Sequence, residues 1–332
     1  MKHIQLSHGG GGEEMDVLIR DLFYRHFSNE ILLRSEDAAV LEVNGKIAFT
    51  TDSYTVTPLF FNGGDMGKIA VAGTLNDLAM MGARPLYLSC AFIIEEGLPY
   101  ETLERIVVSM KDELAKSGAK IVCGDTKVVP KGSVDQLFIN TSGIGEVVLS
   151  ALSAHHLQQD DIIIVSRDIG AHGACILASR EGIELQSALS SDCATLWPVV
   201  EALISENISI RAMRDATRGG LSAVLNEWAI SSDVCIELEE KNIPICDEVR
   251  GICELLGMEP YDFANEGTFI LAIDPCDALR AIEILHRFSM SSNAAIIGNV
   301  TSHKAGRVIL RSAWGSTRYL ERPKGELLPR IC

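Results

Sequence analysis

The chain has 332 residues, 47% of them apolar and 22% charged, which suits a folded water-soluble protein long enough for two domains. Its formal net charge of −16 repels phosphate backbones and anionic membranes, so nucleic acid and membrane are not expected partners. No apolar run is long enough to cross a bilayer, and Met1 to Gly12 lacks the apolar core of a secretory leader, which points to the cytoplasm.

Residues 1–36 read as a polar, Gly-rich lead followed by a short helix from Met15 to Phe27. Ala38–Val43 and Lys46–Thr51 read as a strand pair closed by Asn44-Gly45, a dipeptide of tight hairpins. Met66–Met81 reads as a helix with a small-residue face, Pro85–Ile94 as a strand, and Tyr100–Ser117 as an amphipathic helix stopped by Gly118. Ala119–Cys123 reads as a short buried strand and Gln136–Val148 as a long one. A polar joint from Ser150 to Gln159 divides a first domain, 37–150, from a second, 157–311.

In the second half, Asp161–Ser166, Val234–Leu238, Thr268–Ile273 and Ala294–Val300 read as strands. Helices are expected near Ala171–Arg180, Leu196–Glu206, after Gly219-Gly220 and over Cys276–Phe288. Long strands and hairpins mixed with helices favour an α+β class with two mixed α/β domains over one doubly wound sheet. From Ser312 the pattern fades into a polar tail, 312–332, with Pro323, Gly325 and Pro329; such a tail is expected to be mobile.

Nine cysteines show no zinc or thioredoxin spacing. Cys90, Cys123 and Cys235 lie in strand-like apolar runs and read as small buried hydrophobes. Cys332 differs, because it is the last residue. Acids stand where apolar segments end: Asp37, Asp52, Asp77 after Asn76 on the small-residue helix, and Asp125. If they converge, a cation must neutralise them, and Mg²⁺ shared with phosphates is the natural guest. Each of these aspartates taken alone reads first as a solvated turn or cap residue, and it is the four together, each at the end of an apolar segment, that point to a site. Gly9, Gly10, Gly11 and Gly12 can wrap a polyphosphate with backbone N–H groups or serve as a flexible leader. Thr126 and Lys127 continue Gly124-Asp125, where the lysine is either a surface charge or a phosphate or proton-transfer group. Arg214-Asp215-Ala216-Thr217-Arg218-Gly219-Gly220 opens a helix and offers an anion site or a capped start. Asn265-Glu266-Gly267 precedes a strand and reads as a turn.

Together these segments resemble the superfamily of aminoimidazole ribonucleotide synthetase and selenophosphate synthetase over nearly the whole chain. The anchors are the Gly-rich lead, Ser35-Glu36-Asp37-Ala38-Ala39, Thr50-Thr51-Asp52-Ser53, Thr74 to Ala83, Gly124-Asp125-Thr126 and Arg214 to Gly220. The ending Pro329-Arg330-Ile331-Cys332 is similar, within that superfamily, to the HypE family of hydrogenase maturation factors. The resemblance implies a PurM-like (AIR synthase-like) fold and ATP contacts from the four glycines, Asp52, Asn76, Asp77, Thr126 and Asp215. It implies Mg²⁺ on Asp37, Asp52, Asp77 and Asp125, with Cys332, Lys127 and Glu266 as catalytic residues. The acidic pair is Glu36-Asp37 here instead of two aspartates, and only Asp37 is taken as a ligand. The implied partners are a HypF-type carbamoyltransferase, a HypC–HypD complex that accepts cyanide, and a second copy of the chain in a homodimer. The rival expectations are another ATP enzyme of the superfamily and a catalytically inactive thiol carrier.

Overall fold

The computed structural model describes residues 3–36, 38–181 and 189–323. Asp37 and Cys332 lie outside them. A helical run opens the chain: α1 (Glu13–Leu18), a π-helical stretch (Ile19–Tyr24) and α2 (Arg25–Phe27). β1 (Ile47–Tyr54) follows, then the small hairpin of β2 (Phe60–Phe61) and β3 (Gly64–Asp65), α3 (Met66–Met80), β4 (Ala83–Glu95), α4 (Tyr100–Leu114), β5 (Lys120–Val129) and β6 (Leu137–Val147). The strands form a four-stranded sheet in the order β1-β6-β4-β5. Alternate residues Leu88, Cys90, Phe92 and Ile94 of β4 are buried on the face that α3 covers, where Phe92 also stacks on Phe23 of the helical run. Asp65 starts α3, its Oδ1 accepting from the backbone N–H groups of Gly67 (2.8 Å) and Lys68 (3.1 Å).

The second domain contains β7 (Ile162–Val165), α5 (Ala171–Arg180), α6 (Trp197–Ser205), β8 (Ile210–Asp215), α7 (Gly220–Ser231), β9 (Cys235–Glu239), α8 (Asp247–Leu256), β10 (Phe269–Ile273), α9 (Ala278–Leu285), β11 (Ala295–Thr301), β12 (Arg307–Arg311) and β13 (Thr317–Tyr319). Its seven-stranded sheet runs β13-β12-β9-β11-β7-β10-β8. Every residue of β10 is buried. Phe269, Leu271 and Ile273 pack with Trp197, Leu203 and Ile284 of α6 and α9. Ile270 and Ala272 join the core that holds Leu221, Leu225 and Val249 of α7 and α8. Each such large side chain contributes roughly 1.5–3 kcal/mol on burial.

Several local expectations change. Residues 38–43 form no strand, and Asn44-Gly45 closes no hairpin; β1 pairs instead with β6 from Ile47↔Glu146 to Tyr54↔Ile139. A strand over 38–43 would need a covered face, and Val40 is 80% exposed. β5 does not stop at Cys123. It carries Gly124, Asp125, Thr126 and Lys127 inside the strand, paired with Cys90 to Ile93 of β4. Asp52 likewise lies within β1 rather than after it. β8, β12 and β13 add strands that the sequence pattern did not announce.

The expected tail from Ser312 also starts too early. Ser312 to Ser316 is the turn of a β12–β13 hairpin, with Ser312 N–H donating to Ser316 O (2.8 Å). Leu320 is buried beyond it. Its N–H donates to Val308 O (3.0 Å), and its carbonyl accepts from Asn226 Nδ2 (2.8 Å).

Candidate functional site: an acidic cavity between the domains

A cavity of about 280 Å³ lies between the two domains, lined by Asp52, Tyr54 and Asp77 from the first and by Arg214, Asp215, Thr217, Arg218, Glu227 and Glu266 from the second. β1 supplies Asp52 and Tyr54 from the helix-covered face of its sheet, and α3 supplies Asp77. β8 ends at Asp215, and α7 begins just after Arg218. Thr50 Oγ1 donates to Asp77 Oδ2 at 2.7 Å. Arg214 Nη1 pairs with Glu227 Oε2 at 2.5 Å. The Tyr54 hydroxyl donates to Thr74 (3.0 Å), Thr74 to Thr141 (2.5 Å) and Thr141 to the Ala70 carbonyl (3.0 Å); only that final acceptor fixes the direction of the chain.

Five carboxyl side chains and two guanidiniums therefore face one space. The electrostatics follow. Burial pushes the Asp215 carboxyl up to about 7, with the charge of Asp77 adding to it and Arg214 opposing. Asp52 rises to about 6 through burial and then through the charge and hydrogen bond of Asp77. Glu266 is held well above the usual carboxylate range, first by burial and then by Asp215, Asp192 and Asp52. Mutually repelling, desolvated carboxyls of this kind form a donor set that a hard cation fits. Among the described residues no three His, Cys, Asp or Glu side chains are close enough to hold one ion by themselves. Mg²⁺ suits that spacing, since it takes one or two carboxylates and completes its shell with phosphate oxygens and water.

Asp125, Thr126 and Lys127 are not part of this cavity. In sheet register, Asp52 opposes Thr141, Thr141 opposes Cys90 and Cys90 opposes Gly124, so Asp52 and Asp125 stand on opposite edge strands. Three strand spacings separate them by roughly 14 Å. Asp125 and Lys127 also point to the open face, whereas Thr126 is buried toward the helices. The expected single metal set of Asp37, Asp52, Asp77 and Asp125 therefore does not close within one copy: Asp52 and Asp77 meet, Asp125 is remote, and Asp37 lies outside the described residues. Lys127 Nζ pairs with Asp125 Oδ1 at 3.2 Å and is separated from Glu266 by the same sheet.

A second cavity, of about 580 Å³, opens beside Asp125 and Thr126. Its wall is apolar, built from Ile19, Phe23 and Phe27 of the helical run and from Cys90 and Phe92 of β4, with Glu36 at its rim. The Gly-rich lead packs on the same strand. A Cβ on Gly9 would sit 2.5 Å from the Val128 backbone nitrogen, so only glycine allows this approach. Gly10 and Gly11 turn the chain, and Gly12 is the N-cap of α1.

Asn76, expected at ATP, has its side chain in the junction between the domains. It is 1% exposed, and its amide is spent on backbone: Nδ2 donates to Ala194 O (3.0 Å) and Oδ1 accepts from Leu196 N (2.8 Å). It joins the domains beside the cavity. The Asn265-Glu266-Gly267 turn is equally constrained. Asn265 Oδ1 accepts from Gly170 N (2.7 Å), and its Nδ2 donates to the carbonyls of Ala216 (2.9 Å) and Phe263 (3.0 Å), which leaves Glu266 to line the cavity. A Cβ on Gly267 would lie 1.9 Å from the Asp192 carbonyl oxygen. Sequence reasoning did not single out Tyr54, Glu227 or Asp192. Only Tyr54 had a signal, as the next inward position after Asp52 in an alternating strand.

Both halves match family models: the N-terminal domain of AIR synthase related proteins over residues 35–147 and its C-terminal domain over residues 158–311. The fold and the interdomain acidic cavity define the chain as an AIR synthase-related protein. It is 45% identical over 339 residues to the carbamoyl dehydratase HypE of Escherichia coli K12, with 100% of each chain covered. A crystal structure of the hydrogenase maturation protein HypE in complex with ATP superposes with a TM-score of 0.96 at 45% identity, covering 99% of both chains. HypE in a crystal structure of a HypE–HypF complex superposes with a TM-score of 0.81 at 42% identity, covering 92% of this chain and 99% of that one. The chain belongs to the HypE family of carbamoyl dehydratases.

Proposed function

We propose that the chain dehydrates an S-carboxamide on its own Cys332 to a thiocyanate at the expense of ATP, supplying the cyanide ligand of iron in nickel–iron hydrogenase maturation. The observation that carries this reading is the acidic cavity around Glu266, on a chain that matches a carbamoyl dehydratase from end to end. The amide oxygen is a poor leaving group. Transfer of the ATP γ-phosphoryl group to it makes a good one. The C–O bond then breaks, both amide protons leave, and the products are the nitrile, ADP and phosphate.

Glu266 is the base for an amide proton, its proton affinity raised by burial and by its acidic neighbours. Arg218 and the opening of α7 bind phosphate oxygens. Asp52 and Asp77, with Asp215 beside them, would hold Mg²⁺ in this copy, and the ion would supply neutralisation of phosphate charge. Asp37 remains in the proposed ligand set.

Asp125, Thr126, Lys127 and the glycines Gly9 to Gly12 serve the same nucleotide from the other side, in a homodimer built on the first domain. The open sheet face supports the dimer: Ile47 (53% exposed) and Phe49 (67% exposed) lie beside Ile144 and Tyr87 on it. A HypF-type carbamoyltransferase loads Cys332 and a HypC–HypD complex receives the cyano group, all in the cytoplasm. No helix among the described residues is long and apolar enough to cross a membrane.

The test is the intact mass of the C-terminal peptide after incubation with the carbamoyltransferase, carbamoyl phosphate and Mg-ATP. A carboxamide adduct that then loses one water, absent in Cys332→Ala, is the expected result. A persistent adduct identifies a carrier without dehydratase activity. No adduct returns the chain to the other ATP enzymes of its superfamily.

A further inference from the structure

We propose that Asp192 is a positioning residue for the dehydration step, holding the turn that aims Glu266 into the acidic cavity; this rests on the reading of Glu266 as the base. Asp192 is 2% exposed and does not line the cavity. Both carboxylate oxygens are spent on the turn. Oδ1 accepts from the backbone N–H of Glu266 (3.0 Å), and Oδ2 accepts from the N–H of Gly267 (3.0 Å) and the hydroxyl of Thr268 (2.7 Å). Two backbone N–H groups and the Thr268 hydroxyl, which also lies 3.1 Å from the Asp168 carbonyl, converge on one group; an amide would turn a donor toward one of the N–H groups.

The grip is two-sided. Ala194 N–H donates to the Glu266 carbonyl (3.2 Å), so residues 192–194 hold Glu266 at both its N–H and its C=O. The same segment is fastened to the first domain. Thr195 donates through N–H (2.8 Å) and Oγ1 (2.7 Å) to Glu113 Oε1 on α4, a buried carboxylate paired with Lys116 (2.6 Å). Asn76, adjacent to Asp77 on α3, takes the Ala194 carbonyl and the Leu196 N–H. One strap thus sets Glu266 from the second domain against Asp77 from the first. A base and the group it serves must keep a spacing within a fraction of an ångström, and displacement by about 1 Å can cost on the order of 100-fold in rate.

The experiment is single-turnover dehydration of the carbamoylated full chain at saturating Mg-ATP, read by peptide mass. The variants are Asp192→Asn, Glu266→Gln and the double. We expect Asp192→Asn to slow the step roughly 10- to 100-fold, with KM for ATP changed less than about twofold. In the Glu266→Gln background the same substitution adds no further loss, because there is no base left to aim. Thr268→Val removes one donor only and gives a smaller loss with the same masking, which keeps the test open should Asp192→Asn fold poorly. An equal factor lost in both backgrounds, or a full rate in Asp192→Asn, overturns the positioning role. A full rate in Glu266→Gln instead removes the base assignment itself, and the positioning role falls with it.

Discussion

The two sheets treat their faces differently. The seven-stranded sheet is covered on both sides, α6 and α9 on one and α7 and α8 on the other, and its central β10 has no exposed residue. Among the described residues, helices cover the four-stranded sheet on one side only. Its other face presents Phe49, Ile93, Ile144 and Tyr87 together with Asp125 and Lys127. A covered sheet is a finished core. An open apolar sheet is suited to an interface, and in the proposed dimer it brings Asp125 and Lys127 to the nucleotide from the second copy.

The sharpest way to break this contrast is charge on the open face. Phe49→Asp should leave a folded monomer, convert the dimer to monomer in sedimentation, and lower dehydration by at least roughly 100-fold. A native rate in a proven monomer would mean that one copy holds a complete site. The matching change in the closed sheet, Phe269→Ala, should cost about 3–5 kcal/mol in denaturant unfolding without altering the oligomeric state of what remains folded. A cost near that of a surface substitution would show that β10 is not the core.

Mixing inactive variants sharpens the comparison further. Lys127→Ala and Glu266→Gln copies, each reduced to a small residual rate alone, should regain about a quarter of the native rate on subunit exchange, if Lys127 of one copy serves Glu266 of the other across a two-fold interface. No recovery on demonstrated exchange would place both groups in a site within one copy.

The smallest effect is on stability against pH. Asp52 and Asp215 hold protons up to about 6 and about 7 in the folded chain, above the unfolded carboxylate value near ~4. The folded state therefore binds more protons in that window, and their contribution to stability falls as pH rises through it. The nucleotide-free chain should melt higher near about pH 5 than near about pH 8, and Asp215→Asn should flatten the difference. An unchanged slope in that variant would exclude Asp215 as its source.

Much of the site was legible because apolar periodicity and acid placement are local signals. The helix carrying Asp77, the Asp52 strand and the opening of α7 follow from a few residues each. The division of the acids was not legible, and the reason is strand length. Had β5 ended at Cys123, Asp125 would sit on a loop free to turn inward; inside the strand, alternation fixes it outward, opposite Asp52. Asn76 shows a second limit, because a buried amide satisfied by another domain's backbone looks in sequence like a ligand beside an aspartate. Asp192 sits among Ser190, Ser191 and Cys193 with no period or motif to mark it, since its partners are about 75 residues away. The strands β12 and β13 were hidden by the polar Ser312–Ser316 turn, which reads like the start of a tail.

That hairpin carries the packing of the second domain to Leu320, within 12 residues of the cysteine proposed to react. Leu320 is fixed by Val308 and by Asn226, and the 12 residues that follow it in sequence, Glu321 to Cys332, have a contour of at most about 40 Å. The clamp belongs to α7, whose first turns line the acidic cavity, so anchor and reaction chamber ride on one rigid element. On the proposed reading, a carboxamide on Cys332 is carried by the same chain as the cavity and meets it at an effective concentration in the millimolar range. Its conversion should then be first order in protein for as long as the dimer that completes the proposed site stays assembled.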